Sequence, residues 1–261
     1  MSFSTTKIEE IAPYLTEYCE AAGKILRKTG LTNNNVQMAV CLDFSHSMQN
    51  LYKEGKVKRL LDKILTLNCL YSQNEGLEVF LCGNNAYHAG SMTLKNADTF
   101  VGAVTEKYKL ETDTNYATAI QHIRQYYFPE RNGEYIYEAT HTKKPIWILF
   151  ITDSDTLDKE ITEKQLIAAS YEPIFWQFIA IGHSNKEMVY KKGVLGWLLR
   201  EITGNFHFLE HLDTMEGRYV DNANYFSIAE PDDIHESHFY NLLMTEYPLW
   251  IERIREKNML G

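Results

Sequence analysis

The chain has 261 residues, 44% of them hydrophobic and 13% aromatic, which describes a globular core the size of one large α/β domain or of a domain with an arm. Its 26 lysines and arginines against 35 aspartates and glutamates leave a net charge of -9, and that sign argues against the basic face on which broad nucleic-acid or anionic-membrane binding depends. The four cysteines, Cys19, Cys41, Cys69 and Cys82, stand in apolar stretches with no CxxC or Cys/His spacing, so they read as buried reduced thiols rather than metal ligands.

In chain order, residues 4–29 carry Tyr14, Leu15, Tyr18, Ala22, Ile25 and Leu26 at helical spacing, with Pro13 breaking the first turns and Gly30 as the stop. With the polar run Thr32–Asn35 they form an N-terminal helical arm and linker over 1–35, and the main domain is expected over 36–261. Residues 36–42 form a strand apolar enough to be buried on both faces, followed by a helix with Val57, Leu60, Leu61, Ile64 and Leu65 on its inner face. Leu77–Gly83 is a second strand, Tyr87–Met92 an edge strand and Asp98–Tyr108 a helix. A polar loop, Leu110–Tyr116, leads into a helix with Ala119, Ile120 and Ile123 inward, for which Asn115 is the expected N-cap. The Tyr-rich segment 129–144 reads as a surface loop. Ile146–Ile151 is the most hydrophobic strand, and a helix near 160–170, a strand over Ile174–Ile181, a helix over 186–200 and a last strand within 220–228 follow. A C-terminal helix from about His235 is interrupted at Pro248. Strands that alternate with helices call for right-handed crossovers and a doubly wound, mainly parallel sheet with helices on both faces.

Three loops share one chemistry. Asp43-Phe44-Ser45-His46-Ser47 leaves the first strand, Thr112-Asp113-Thr114 precedes a helix, and Asp153-Ser154-Asp155 leaves the most hydrophobic strand. In an open α/β sheet the outgoing loops of strands that flank the switch point face each other across a crevice. Two carboxylates, Asp43 and Asp153, and three hydroxyls, Ser45, Ser47 and Thr114, make an all-oxygen set suited to a hard divalent cation such as Mg²⁺, with Mn²⁺ or Ca²⁺ as alternatives. If the two aspartates sit in the outer shell, bonded through water, the few charges in the inner shell leave such a cation electrophilic and ready for a carboxylate from outside. The chain lacks GxGxxG and GxxxxGK[ST], so no dinucleotide or P-loop site is signalled.

Asp43-x-Ser45-x-Ser47, Thr114 before Asn115, and Asp153 after an apolar strand resemble the metal-ion-dependent adhesion site (MIDAS) of von Willebrand factor A (vWA) domains. Longer strings, Tyr171–Phe178, Arg218–Phe226 and Leu242–Pro248, are similar to the branch at the C-terminal end of TerF-like tellurite-resistance proteins. The resemblance implies a Rossmann-like, six-stranded sheet of order 3-2-1-4-5-6 with the metal at its C-terminal edge. It implies Ser45, Ser47 and Thr114 as metal ligands, with Asp43 and Asp153 direct or through water. It also implies a protein-binding module of a bacterial tellurite-resistance or stress-response complex. The partner expected is a protein that donates an Asp or Glu carboxylate, other Ter-type proteins included. Asp113 stands where such loops commonly have a glycine before the threonine, and Ser154-Asp155 replaces the glycine common after the fourth-strand acid; Asp113 and Asp155 read as solvated acids, with an outer-shell place as the alternative.

His46 reads as a loop side chain, and His88, His122, His183 and His207 show no metal spacing. Trp197, Tyr190 and the Tyr-rich 126–137 segment are candidates for core packing or a partner surface. A Mg²⁺-dependent phosphatase or other hydrolase using Asp43 is the alternative function. It is weaker because Ser45 stands where a haloacid-dehalogenase-like enzyme has its second acid, and no GxSxG elbow is present. A non-enzymatic protein is expected. Met1–Lys7 carries no signal-peptide core and no apolar run reaches bilayer length, so a cytoplasmic location without membrane insertion is expected.

Overall fold

The structure, a computed structural model, describes residues 5–31, 36–72, 76–182 and 206–261. The linker 32–35, the helix expected over 186–200, His183, Tyr190 and Trp197 lie outside the described residues. Six strands form one sheet of order β3-β2-β1-β4-β5-β6. They are β1 (Gln37–Asp43), β2 (Gly76–Cys82), β3 (Ala86–Thr93), β4 (Ile146–Thr152), β5 (Ile174–Ile181) and β6 (Ala223–Ile228). All pairs are parallel except β2 with β3, an antiparallel edge hairpin with a register shift at Val79/Phe80. The doubly wound order places the switch point between β1 and β4.

The strands read as unbroken apolar runs because both faces are covered. Along β1, Met38, Val40 and Leu42 enter one core while Ala39 and Cys41 enter the other; along β4, Trp147, Leu149 and Ile151 oppose Ile146, Ile148 and Phe150 in the same way. The first core is roofed by the arm helices α1 (Thr5–Ile11) and α2 (Thr16–Thr29), by α4 (Lys56–Tyr71), which follows the short α3 (Gln49–Lys53), and by α5 (Ala97–Lys107). The second is roofed by α6 (Tyr116–Tyr127), α7 (Lys159–Ala169) and α8 (His207–Thr214). The C-terminal pair α9 (Glu236–Leu243) and α10 (Tyr247–Glu256) returns to the first core, and α10 begins with Pro248 in its first turn.

The arm is part of that first core. Ile8, Leu15, Ala22 and Leu26 are buried, and α2 packs on α4 and α9. The turn at Ala12–Pro13 separates α1 from α2, and Gly30, at φ 70°, ends α2 with a bond from the Leu31 amide to the Leu26 carbonyl at 3.0 Å.

The segment 129–144 forms no strand and only one short turn of helix, at Pro129–Arg131, yet it is anchored from beneath. Buried Arg124 of α6 donates to both carboxylate oxygens of buried Glu172 at 2.8 Å, and it also donates to Gln165 Oε1 at 2.5 Å and to the Gly133 and Glu134 carbonyls at 3.1 and 2.8 Å. Arg131 pairs with the same Glu172 at 3.1 Å and caps the Ile136 and Glu138 carbonyls. Two guanidinium groups around one buried carboxylate leave a strongly unbalanced charge if that acid is removed. Glu172→Ala is therefore expected to cost about 3–5 kcal/mol in urea unfolding; a loss below about 1 kcal/mol, the level of an exposed pair, would show that the cluster does not anchor the loop.

Candidate metal centre

Asp43 is the last residue of β1, and the β1–β4 register sets it beside Thr152, the last residue of β4. Its side chain is 0% exposed. Its Oδ1 accepts the Ser45 amide at 3.0 Å, and its Oδ2 accepts the hydroxyls of Thr152 at 2.6 Å and Ser154 at 3.1 Å. Beyond it the chain turns through Ser45 into a single 3-10 turn, His46–Met48, and the Tyr52 hydroxyl on α3 returns to donate to the Asp43 carbonyl at 2.9 Å.

The hydroxyls gather around this carboxylate. Ser45 Oγ and Ser47 Oγ are 2.8 Å apart, and Ser47 donates to Asp153 Oδ1 at 2.6 Å. Thr114 Oγ1 lies 3.2 Å from Ser154 Oγ and donates to the Asp155 carbonyl at 3.1 Å. The structure thus brings Asp43, Ser45, Ser47 and Asp153 into one bonded network and joins Thr114 to it through Ser154. Asp113 and Asp155 are engaged elsewhere. Asp113 accepts from Asn84 at 3.2 Å and from Thr112 at 2.9 Å, while Asp155 pairs with Lys159 and accepts the Thr156 amide at 2.9 Å.

The three loops are fixed to one another by backbone. The His46 amide donates to the Glu111 carbonyl at 2.8 Å, and the Glu111 amide to the Phe44 carbonyl at 2.9 Å. The Asn115 amide reaches the Gly83 carbonyl at 2.9 Å. Gly83 is needed there, because a Cβ would stand 3.0 Å from Glu111 Cβ and 2.3 Å from its Oε2. The α6 N-terminus is capped from outside rather than by Asn115, whose side chain donates to the Asn84 carbonyl instead. Thr156 and Asp158, from the loop after β4, accept the Tyr116 and Ala117 amides at 3.1 and 3.0 Å.

Sequence reasoning missed Thr152, Ser154 and Tyr116. Thr152 lay hidden in the strand pattern, and Ser154 was read only as a replacement for glycine. The Tyr116 hydroxyl supports both from α6, 3.0 Å from Thr152 Oγ1 and 2.5 Å from the Ser154 carbonyl. Only the crossing of α6 over β4 brings it there.

Every hydrogen bond described to Asp43 and Asp153 comes from a neutral donor. Burial raises the Asp43 carboxyl above its ordinary range despite those bonds, and burial together with the Asp43 charge pushes Asp153 up to about 6. Two desolvated acids without a basic side chain between them fit a cation. The 2.8 Å spacing of Ser45 Oγ and Ser47 Oγ fits too, since adjacent ligands of Mg²⁺ at about 2.1 Å lie roughly 3 Å apart. Ser45, Ser47 and Thr114 are the hydroxyls available to hold it, with Asp43 and Asp153 behind them. Among the described residues no group of three or more His, Cys, Asp or Glu side chains is placed to hold a metal ion.

An acid whose pKa is raised on folding adds stability below its unfolded value, near 4, and loses that contribution as pH rises through its folded value of about 6. In EDTA, Asp153→Asn is therefore expected to melt above the unsubstituted protein at pH 7.5, with the gap closing toward pH 5. A gap that does not depend on pH between these values would remove the charge strain assigned to Asp153.

The sequence profile of the vWA-TerF-like family, described as the vWA found in the TerF C terminus, matches residues 35–260. The uncharacterized protein YcbR of Bacillus subtilis (strain 168) is 27% identical over 243 residues, covering 90% of this chain and 86% of YcbR. Among solved structures, proximal thread matrix protein 1 from the mussel byssus is similar, with a TM-score of 0.54 at 13% identity over 81% of this chain. The match takes in 47% of the mussel protein, so this chain spans about half its length. A further structure of that protein, with a zinc-occupied MIDAS motif, aligns at a TM-score of 0.49 and 15% identity over 81% of this chain and 48% of its own. With nearly the whole main domain matched and the six-stranded order in place, the chain belongs to the vWA-TerF-like family of von Willebrand factor A domains.

Proposed function

We propose that this protein is a metal-ion-dependent protein-binding module that takes up an Asp or Glu side chain of a partner at the mouth formed by Ser45, Ser47, Thr114 and Asp153. The observation that carries the reading is the pair of buried acids with only neutral donors around them, roofed by hydroxyls. A bound divalent cation, Mg²⁺ in the cell, supplies the electrophilic position that attracts the partner carboxylate. The chain's own residues do the rest. Asp43 and Asp153 balance positive charge, Thr152 and Ser154 hold the Asp43 carboxylate still, and the hydroxyls add oxygen donors without further negative charge. An incoming acid therefore meets no full set of competing carboxylates.

We propose binding without bond-breaking. A nucleophilic Asp must touch its substrate, whereas Asp43 is fully buried with hydrogen bonds to both carboxylate oxygens. The TerF-like family supports a setting among Ter-type proteins, in a tellurite-resistance or stress-response complex, and the B. subtilis relative supports a bacterial one. Among the described residues no helix is long and apolar enough to cross a membrane, and the four cysteines are buried. The buried cysteines support a reducing, cytoplasmic site of action.

Mg²⁺ at about one hundred times its Kd is expected to raise the melting temperature by roughly 5 °C or more, from about 2.7 kcal/mol of linkage. Asp43→Ala should abolish the rise; no Mg²⁺ shift in the unsubstituted protein would remove the cation from the proposal. In pull-downs, partners retained in Mg²⁺ should be released by EDTA, and replacing one acidic side chain of the partner should have the same effect. Identical recovery in Mg²⁺ and EDTA would rule out a metal-bridged contact.

A further inference from the structure

Beside the metal mouth, a groove of about 660 Å³ runs between α3–α4 and α5. Its walls include Phe44, Tyr52, Val101, Tyr108 and Leu110, together with His46 of the metal loop. Phe44 and Tyr52 are buried and meet edge to face at 5.3 Å, while Val101, Tyr108 and Leu110 are half-buried, which makes the floor apolar. The groove shares its frame with the metal centre, because the Tyr52 hydroxyl donates to the Asp43 carbonyl and the Glu111 amide to the Phe44 carbonyl.

The polar lining is basic in an otherwise acidic molecule. Three lysines, Lys53, Lys58 and Lys109, face one acid, Asp98, whereas the chain as a whole carries a net charge of -9. Lys58 is already neutralised, lying 2.8 Å from Asp62 and 3.4 Å from Asp98. Lys53, at the end of α3, and Lys109, after α5, are exposed and have no ion pair among the described residues. Two uncommitted cations over an apolar floor, next to a site that takes a carboxylate, are complementary to one kind of chain.

We infer that this groove binds an extended acidic segment of the partner protein. One Asp or Glu of the segment occupies the metal mouth, an adjacent apolar side chain lies on Tyr108 and Leu110, and a second acid pairs with Lys53 or Lys109. The inference rests on the metal-dependent reading above and adds to it the sequence character of the partner. The groove would select among acidic proteins, since a lone carboxylate cannot.

A phage library of random dodecapeptides panned on the protein in Mg²⁺ tests this, followed by fluorescence polarisation of the selected peptides against the unsubstituted protein and Lys53→Glu/Lys109→Glu. Both lysines are exposed, and an unchanged melting temperature with an unchanged Mg²⁺ shift will show that the fold and the metal centre persist in the variant. The expected result is peptides with two acids flanking an apolar residue whose Kd rises about tenfold or more in the variant. Peptides that need Mg²⁺ but bind both proteins within about twofold would overturn the groove and leave the metal reading standing. Peptides that lose affinity in the variant yet bind equally in EDTA would uphold the groove and overturn the metal reading. A selection that yields no peptide sensitive to the double substitution counts against the groove.

Discussion

A carboxylate placed at the end of a buried strand has to be satisfied where no water reaches it, and most of the local structure follows from how that is done. Asp43 could not be left bare at the switch point, because an uncompensated buried charge is among the most costly features a fold can carry. The chain surrounds it with the Ser45 amide and the hydroxyls of Thr152 and Ser154. Each of these is fixed in turn. Ser45 belongs to a loop bonded to Glu111, Thr152 ends the neighbouring strand, and Tyr116 holds both Thr152 and Ser154 from α6. Neutral donors keep the geometry but leave the charge in place, so the site is both rigid and electronegative.

The same economy runs through the supporting shell. Amides at the start of α6 are satisfied by Thr156 and Asp158 of the loop after β4, so the loop that carries Thr114 cannot move independently of the loop that carries Asp153. On the opposite side, the Gly83–Asn85 hairpin abuts Glu111, whose carboxylate is held below its usual range by bonds from Tyr87 and Asn85. Three loops distant in sequence therefore form one rigid rim. A rim ordered in advance would lose little entropy on taking up the partner proposed above.

Apolar and charged features are divided between the two ends of the problem. The sheet is sealed on both faces by helices, with the arm completing one of them. The acid- and hydroxyl-bearing loops stand where β1 and β4 end and where α6 begins, with Lys53, Lys58 and Lys109 lining the groove beside them. This division lets the rim vary without disturbing the core, which is how one doubly wound frame serves many partners.

Much of this was determined locally and could be read from the residues. Ile146–Ile151 and Ile174–Ile181 could only be strands buried on both faces, Pro13 and Gly30 had to bound the arm helix, and Asp43, Ser45 and Ser47 share one turn because they are alternate residues of five. The resemblance of the Asp43, Thr114 and Asp153 loops to one known site supplied their grouping. What the sequence could not decide were contacts made across the sheet. Asn115 had the chemistry of a cap, yet the amides of α6 went to Thr156 and Asp158, because the packing of α6 against the β4 loop brought those oxygens nearer. Thr152 looked like one more strand residue until the β1–β4 register set its hydroxyl against Asp43. The 129–144 segment looked like free surface until two arginines fastened it to Glu172. Spacing along a chain specifies faces and turns; which buried donor meets which buried acceptor depends on strand register and helix crossing, and those exist only once the layers have packed.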